Sequence, residues 1–241
     1  NNNQYNNLED FCVIADFKTN QLHAGASLII NEDYPTSGGF WQLRIDSGNI
    51  RFYIHNNNVQ PSNEIIYQSN LFNDDQWHKV LVNRYSSDGN VKIYIDGILV
   101  KESYQATGIF HNSNSIKMGY GVISGREFVG KLDNFSYWNK ALTQAEIQQY
   151  MSSPPTGNEA GLVGYWYFNE GSGSTVTDLS GNGNNGTING ATWSTDVPSQ
   201  YSNNCTATDD VVVTVNPLPT IDLGADTILI CAGTSETIDA G

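Results

Sequence analysis

The chain has 241 residues, 39% hydrophobic and 11% aromatic, which is enough apolar content for a core and too much for a globally disordered polymer. Its 25 acidic residues outnumber 11 Lys and Arg for a net −14 at pH 7, a charge that repels phosphate backbones and argues against a nucleic-acid partner. No apolar run approaches the ~20 residues that a membrane-spanning helix needs.

The charge is unevenly spread. All 11 bases lie between Lys18 and Lys140; with 14 acids the first 140 residues sum to −3, and the remaining 11 acids give residues 141–241 a net −11. Such a surface reads either as colloidal solubility outside the cell or as attraction of divalent cations. The chain opens Asn-Asn-Asn-Gln-Tyr, without Met or a signal peptide, and reads as a processed or excised segment. Cys12, Cys205 and Cys231 form no metal-ligand cluster, and one disulfide among them would leave one thiol over.

Residues 1–8 are polar and read as a frayed end. Phe11 to Phe17 alternates Phe11, Val13, Ala15 and Phe17 against Cys12, Ile14 and Asp16, the period of a core strand. Leu28 to Ile30 is a second short strand, followed by a loop with Pro35 and Gly38-Gly39. Phe40 to Ile45 and Ile50 to Ile54 flank Asp46-Ser-Gly-Asn49 as a hairpin. Asn56 to Asn63 reads as a longer loop before a strand at Ile65 to Tyr67.

Trp77 to Val100 holds three alternating segments joined by Asp88-Gly-Asn90 and Asp96-Gly97, whose residues tolerate the positive φ of short turns. Val80 and Val82 share one face, as do Val91, Ile93 and Ile95, so the segment reads as a β-meander with one wet face. Ile116 to Tyr120 and Phe128 to Trp138 supply further strands. Thr143-Gln-Ala-Glu146 is a capping box that opens one helix over 144–151, stopped by Pro154-Pro155. About nine strands and a single late helix argue for an all-β, two-sheet antiparallel sandwich with Val80, Val82, Ile93, Ile95 and Phe135 inside.

The Trp77-His-Lys-Val80 strand, the strand ending Tyr94-Ile-Asp-Gly97, and Gly130-Lys-Leu-Asp-Asn-Phe-Ser-Tyr-Trp138 running on to Ile147 resemble the laminin-G-like branch of the concanavalin A-like lectin/glucanase superfamily. The resemblance covers roughly residues 8–152 and implies a jelly-roll sandwich over 1–153. It leaves function open, because that fold hosts lectins, adhesins, hydrolases and passive spacers.

Residues 154–160 read as a linker, and Gly161 to Trp193 resembles a laminin-G-like opening strand and loop that here trails a domain. About 40 residues are too few to bury a core alone, so 154–200 is expected to pack on the sandwich or to begin an incomplete copy. Cys205 to Val215 is a further strand, and Asn216-Pro-Leu-Pro219 a hinge. Residues 221–241 resemble the opening of an immunoglobulin-like repeat of large secreted proteins of gliding and related bacteria. Residues 201–241 are therefore expected to be a C-terminal β segment that starts such a repeat, with Cys231 pairing beyond residue 241.

Asp178, Ser180, Asn182 and Asn184 place oxygen-bearing side chains at alternate positions, with Gly183 where a tight loop must turn. Hard Ca²⁺ takes such ligands, and the spacing copies the first half of a calcium loop. The twelfth position is Asn189 rather than a bidentate Glu, and Asn and Gly are also default turn residues, so a plain turn stands beside calcium. Asp133 is read as capping a sheet end or serving an ion site, Asp74-Asp75 as a turn, and His78 as structural.

Glycoside hydrolysis needs two carboxylates facing one sugar bond at a fixed separation. No strand carries a Glu-x-Asp-x-Glu pattern; Glu32-Asp33 are adjacent, and Glu64, Glu102, Glu127 and Glu170 are isolated. No Gly-x-Ser-x-Gly elbow occurs, and His23, His55, His78 and His111 lack partners in sequence. Trp41, Tyr53, Tyr94, Tyr120, Trp138 and Trp166 are the rings available as sugar platforms, though most must be core. The expectation is a non-catalytic extracellular module for adhesion or glycan recognition, with calcium as its candidate cofactor, within a larger secreted or cell-surface bacterial protein. Its partners would be a glycan or surface-protein ligand and further domains of the same polypeptide. A purely structural spacer is the alternative, and a glycoside hydrolase comes third.

Overall fold

A computed structural model describes residues 10–21, 26–31, 40–56, 59–69, 71–104, 116–120 and 127–199. The strand, hinge and immunoglobulin-like opening expected over 201–241, with Cys205 and Cys231, lie outside the described residues.

The chain forms strands β1 (Phe11–Lys18), β2 (Ala26–Asn31), β3 (Phe40–Asp46), β4 (Asn49–Asn56), β5 (Val59–Tyr67), β6 (Trp77–Arg84), β7 (Asn90–Ile95), β8 (Ile98–Tyr104), β9 (Ile116–Met118) and β10 (Lys131–Trp138). Helix α1 (Gln144–Ser152) precedes β11 (Leu162–Trp166) and the two-residue strands β12 (Thr175–Val176) and β13 (Gly186–Thr187). The helix opens as its capping box dictates: Thr143 Oγ1 accepts from the Glu146 N–H, and the Glu146 carboxylate accepts from the Thr143 N–H.

Two antiparallel sheets carry the fold. Sheet I has the order β11-β10-β1-β6-β7-β8, and sheet II the order β5-β4-β3-β2-β9. The hairpin turns at Ser47-Gly48 and Asp96-Gly97 put both central residues at positive φ, the geometry that matches strand twist. Phe11, Val13, Phe17, Val80, Val82, Ile93, Ile95 and Phe135 of sheet I meet Leu28, Trp41, Leu43, Ile50, Phe52 and Ile65 of sheet II in one core. Trp41 stacks on Phe11 at 5.3 Å and on Tyr137 at 6.0 Å between ring centroids.

Three expectations need correction. The central meander has no wet face at its middle: Leu81 and Tyr94 are buried in a second cluster with Trp138, Ile147, Tyr150 and Met151, because α1 lies on the outer face of sheet I. The segment expected as a loop up to Asn63 belongs to β5, which starts at Val59 and tolerates Pro61 because β5 is an edge strand. The strand expected from Phe128 begins at Lys131.

After α1, β11 pairs antiparallel with β10, setting Phe135 opposite Trp166 with their rings stacked at 5.3 Å. Lys18, Lys131 and Trp77 form a row across β1, β10 and β6. Asp196 sits over that row, bonded to both lysines and to the indole N–H.

Candidate functional site

Burial decides first among the aromatic candidates. Trp41, Tyr94, Trp138 and Trp166 are all core, which removes them as ligand platforms. Tyr53 is half-buried and Tyr120 is 45% exposed, and both belong to sheet II or its edge. Tyr53 lies in β4; Tyr120 follows β9.

Alternation then defines the outer face of sheet II. Trp41, Leu43, Ile45, Ile50, Phe52, Ile54 and Ile65 point into the core, so Gln42, Arg44, Arg51, Tyr53 and Glu64 point away from it. The register sets Gln42 opposite Tyr53 and Tyr53 opposite Glu64, with Lys117 at the far end of the same row across position 30. A parallel row sets Arg44 opposite Arg51 and Ser27.

These side chains hold one another. The Gln42 amide donates to Ser27 Oγ, and its Oε1 accepts from Arg44 Nε at 2.6 Å. The Arg44 guanidinium lies 5.8 Å from the Tyr53 ring centre. Arg51 pairs with Asp46 at 2.6 Å and with Glu64 at 3.0 Å. At the sheet edge the Lys117 ammonium sits 4.7 Å from the centre of the Tyr120 ring. The face thus presents guanidinium donors, carboxylate acceptors and aromatic rings in fixed positions. A hydroxyl-rich ligand, whose OH groups both donate and accept and whose CH faces stack on rings, matches that chemistry.

Gln42, Arg44, Arg51 and Glu64 were not singled out in sequence as a set. The Ser-Gly turn at 47–48 carried the signal, since a two-residue hairpin fixes which residues of β3 and β4 face each other.

The Asp178 loop wraps the free edge of β11. Asp178 Oδ1 accepts the N–H groups of Tyr165 at 3.0 Å and Ser180 at 2.9 Å, and Oδ2 accepts that of Asn184 at 2.9 Å. Ser180 Oγ and Asn184 Nδ2 donate to the Val163 carbonyl, and Asn182 Nδ2 donates to those of Leu162 and Val163. The four residues are brought together, and these bonds satisfy the edge of β11, on which no further strand among the described residues pairs. A cation here would compete with backbone N–H groups for the one carboxylate.

The remaining candidates serve the scaffold. His78 bonds Asp96 Oδ2 at 2.8 Å and Asp74 Oδ1 at 3.2 Å, tying the loop before β6 to the β7–β8 turn. Burial pulls its pKa down, but the Asp96 and Asp74 carboxylates outweigh this and raise it. Asp74 also accepts from the Gln76 N–H, as a turn residue does. Asp133 is buried in β10, and burial pushes its carboxyl up to about 7. Cys12 is a free, buried thiol. His23 and His111 lie outside the described residues, and no helix among those described is long and apolar enough to cross a membrane.

A sequence family described as the concanavalin A-like lectin/glucanases superfamily matches residues 1–148. Among solved structures, a protein from Bacteroides ovatus ATCC 8483, described as a candidate carbohydrate binding protein, is 20% identical with a TM-score of 0.59. The match covers 76% of this chain and 52% of that one, so the chain spans about half its length. The CBM40 of the Ruminococcus gnavus IT-sialidase is 16% identical with a TM-score of 0.49, over 60% of this chain and 84% of that one. Domain 4 of AbnA, a GH43 extracellular arabinanase from Geobacillus stearothermophilus, solved with arabinotriose, is 17% identical with a TM-score of 0.49, over 61% and 68%. The Bacteroides likeness speaks to the sandwich fold, and the other two are general resemblances.

Proposed function

We propose, for a chain that belongs to the concanavalin A-like lectin/glucanases superfamily, that it is a non-catalytic glycan-recognition module whose ligand lies on the outer face of sheet II. The observation that carries this reading is Tyr53 beside Glu64, with Arg44 and Arg51 next to them and the buried Gln42 anchoring Arg44 from beneath. Because Arg44 is held by Gln42 and Arg51 by two carboxylates, little side-chain freedom remains to be lost on binding. The description of the Bacteroides ovatus protein as a candidate carbohydrate binding protein agrees with this reading.

Catalysis fits the face poorly. Its carboxylates Asp46 and Glu64 are both paired with Arg51, which leaves neither placed as an acid or base towards a sugar bond. A secreted or cell-surface setting, adhesion through the bound glycan, and further domains on the same polypeptide belong to the same proposal. So does calcium at Asp178, Ser180, Asn182 and Asn184, which would act on the β11 edge rather than on the sheet II face.

A glycan array, run with calcium and then with a chelator, tests the reading. Binding that is lost in Arg44→Ala and Tyr53→Ala, with melting temperature unchanged, is the expected result. No binding under either condition leaves the spacer reading, and release of reducing sugar restores the hydrolase.

A further inference from the structure

Three side chains from three adjacent strands meet in a buried cluster on the outer face of sheet I, far in role from the sheet II face. Asp16 of β1 is fully buried, and the residue paired with it on β6 is Lys79, only 2% exposed. Lys79 Nζ lies 2.8 Å from Asp16 Oδ1. From the other flank, Asn134 of β10 is 4% exposed and donates its Nδ2–H to Asp16 Oδ2 at 2.9 Å. The backbone arranges this meeting. The β1–β10 register shifts between Ile14 and Asp16, and Asn134 takes a φ of +48°, which sets Asp133 and Asn134 beside Asp16.

Asp133 adds a second buried carboxyl beside the pair, and the flank towards the second core cluster is apolar. Ile14 and Leu81, two residues along from Asp16 and Lys79 on the same face, lie in the second core cluster. Desolvation makes a buried ion pair costly, and a neutral product relieves that cost. Burial raises the Asp16 carboxyl above its ordinary value, against the opposing pull of the Lys79 charge and the Lys79 and Asn134 hydrogen bonds.

We propose that Lys79 and Asp16 condense to an intramolecular amide, Lys79 Nζ to Asp16 Cγ, that covalently ties β6 to β1. The atoms balance within the cluster. One proton passes from the Lys79 ammonium to Asp16 Oδ1, leaving an amine in contact with a carboxylic acid. The nitrogen lone pair attacks Cγ, and the carbonyl electron pair moves onto Oδ2, where the Asn134 N–H stabilises the developing charge. A second proton passes from nitrogen to Oδ1, the Cγ–Oδ1 bond breaks, and water leaves as the carbonyl to Oδ2 re-forms. No oxidant or other reactant is needed. Lys79 is the nucleophile, Asp16 the electrophile and Asn134 the oxyanion donor.

The test is the mass of the whole 241-residue chain under denaturing conditions, expected one water below the sequence mass. A tryptic digest should give a branched peptide joining residues 1–18 to residues 52–84, uncleaved after Lys79. Lys79→Arg keeps the charge but supplies no amine, and should return the full sequence mass. Asn134→Gly suits the positive φ and removes the donor to Oδ2, and should slow linkage about a hundredfold, the scale of losing one oxyanion-hole donor. Linkage at an undiminished rate in that variant would remove Asn134 from the mechanism. A folded wild-type chain at full sequence mass after long incubation overturns the proposal. So does a water loss that maps elsewhere, such as ring closure at Asp88-Gly89 or Asp96-Gly97.

Discussion

The Asp196 carboxylate accepts the Trp77 indole N–H at 2.9 Å, although 119 residues separate them in sequence. Its other oxygen lies against Lys18 and Lys131, two lysines that face each other across β1 and β10. Like charges directly opposite destabilise a sheet, so Asp196 supplies the missing counter-charge while it fixes the trailing segment to the sandwich.

Asp196→Ala should therefore lower stability by about 1 kcal/mol, since exposed ion pairs are individually weak. It should also open residues near 196 to protease before the sheets melt. The Lys131, Trp77 and Lys18 contacts hold the carboxyl well below its ordinary value. A depressed pKa contributes stability above the ordinary carboxylate range that is lost as pH falls through the folded value. Added salt should shrink the difference between wild type and variant, and a difference insensitive to salt would contradict this account.

Stability should fall from pH 5 to pH 8. Burial raises the Asp133 carboxyl from 3.8 to about 7. A raised pKa gives stability that is complete below the unfolded value and lost as pH rises through the folded one, here between about 4 and 7. His78, also raised by its two carboxylates despite burial, loses its contribution in the same direction above its ordinary 6.5. The Asp133 share is at most roughly 4 kcal/mol. Asp133→Asn should flatten the melting temperature over this range; a profile unchanged by the substitution would remove Asp133 as its cause.

The alternation of Val80, Val82, Ile93 and Ile95 was enough to read the inter-sheet core, because period two is a local property. The burial of Leu81 and Tyr94 was not legible, since it depends on α1 landing on the far face of sheet I. Asp178, Ser180, Asn182 and Asn184 were legible as a polar loop, but their partners on β11 are tertiary neighbours that spacing does not reveal. Tyr53 was a candidate by type alone. What places it is a register that brings Gln42 and Glu64 to its sides.

Ile93→Ala should cost about 2–5 kcal/mol, the range for truncating a fully buried aliphatic side chain. Ile93 is 0% exposed and lies opposite Val82 within the inter-sheet core. Denaturant unfolding measures the loss directly. A cost below 1 kcal/mol would mean that the sheets close over the cavity.

The Asp178 loop separates two physical roles for one carboxylate. Three backbone N–H groups rely on it, those of Tyr165, Ser180 and Asn184. Deleting the acceptor leaves the buried Tyr165 N–H without that bond and frees the loop from the β11 edge. Asp178→Ala should thus cost about 2–4 kcal/mol in calcium-free buffer, since hydrogen bonds to a charged group are among the stronger ones. If calcium also binds, millimolar calcium should raise the wild-type melting temperature further through mass action, and Asp178→Ala should abolish that rise. A wild-type melting curve unchanged across the titration would assign the carboxylate to the β11 edge alone. A variant as stable as wild type in chelator would reject the edge role.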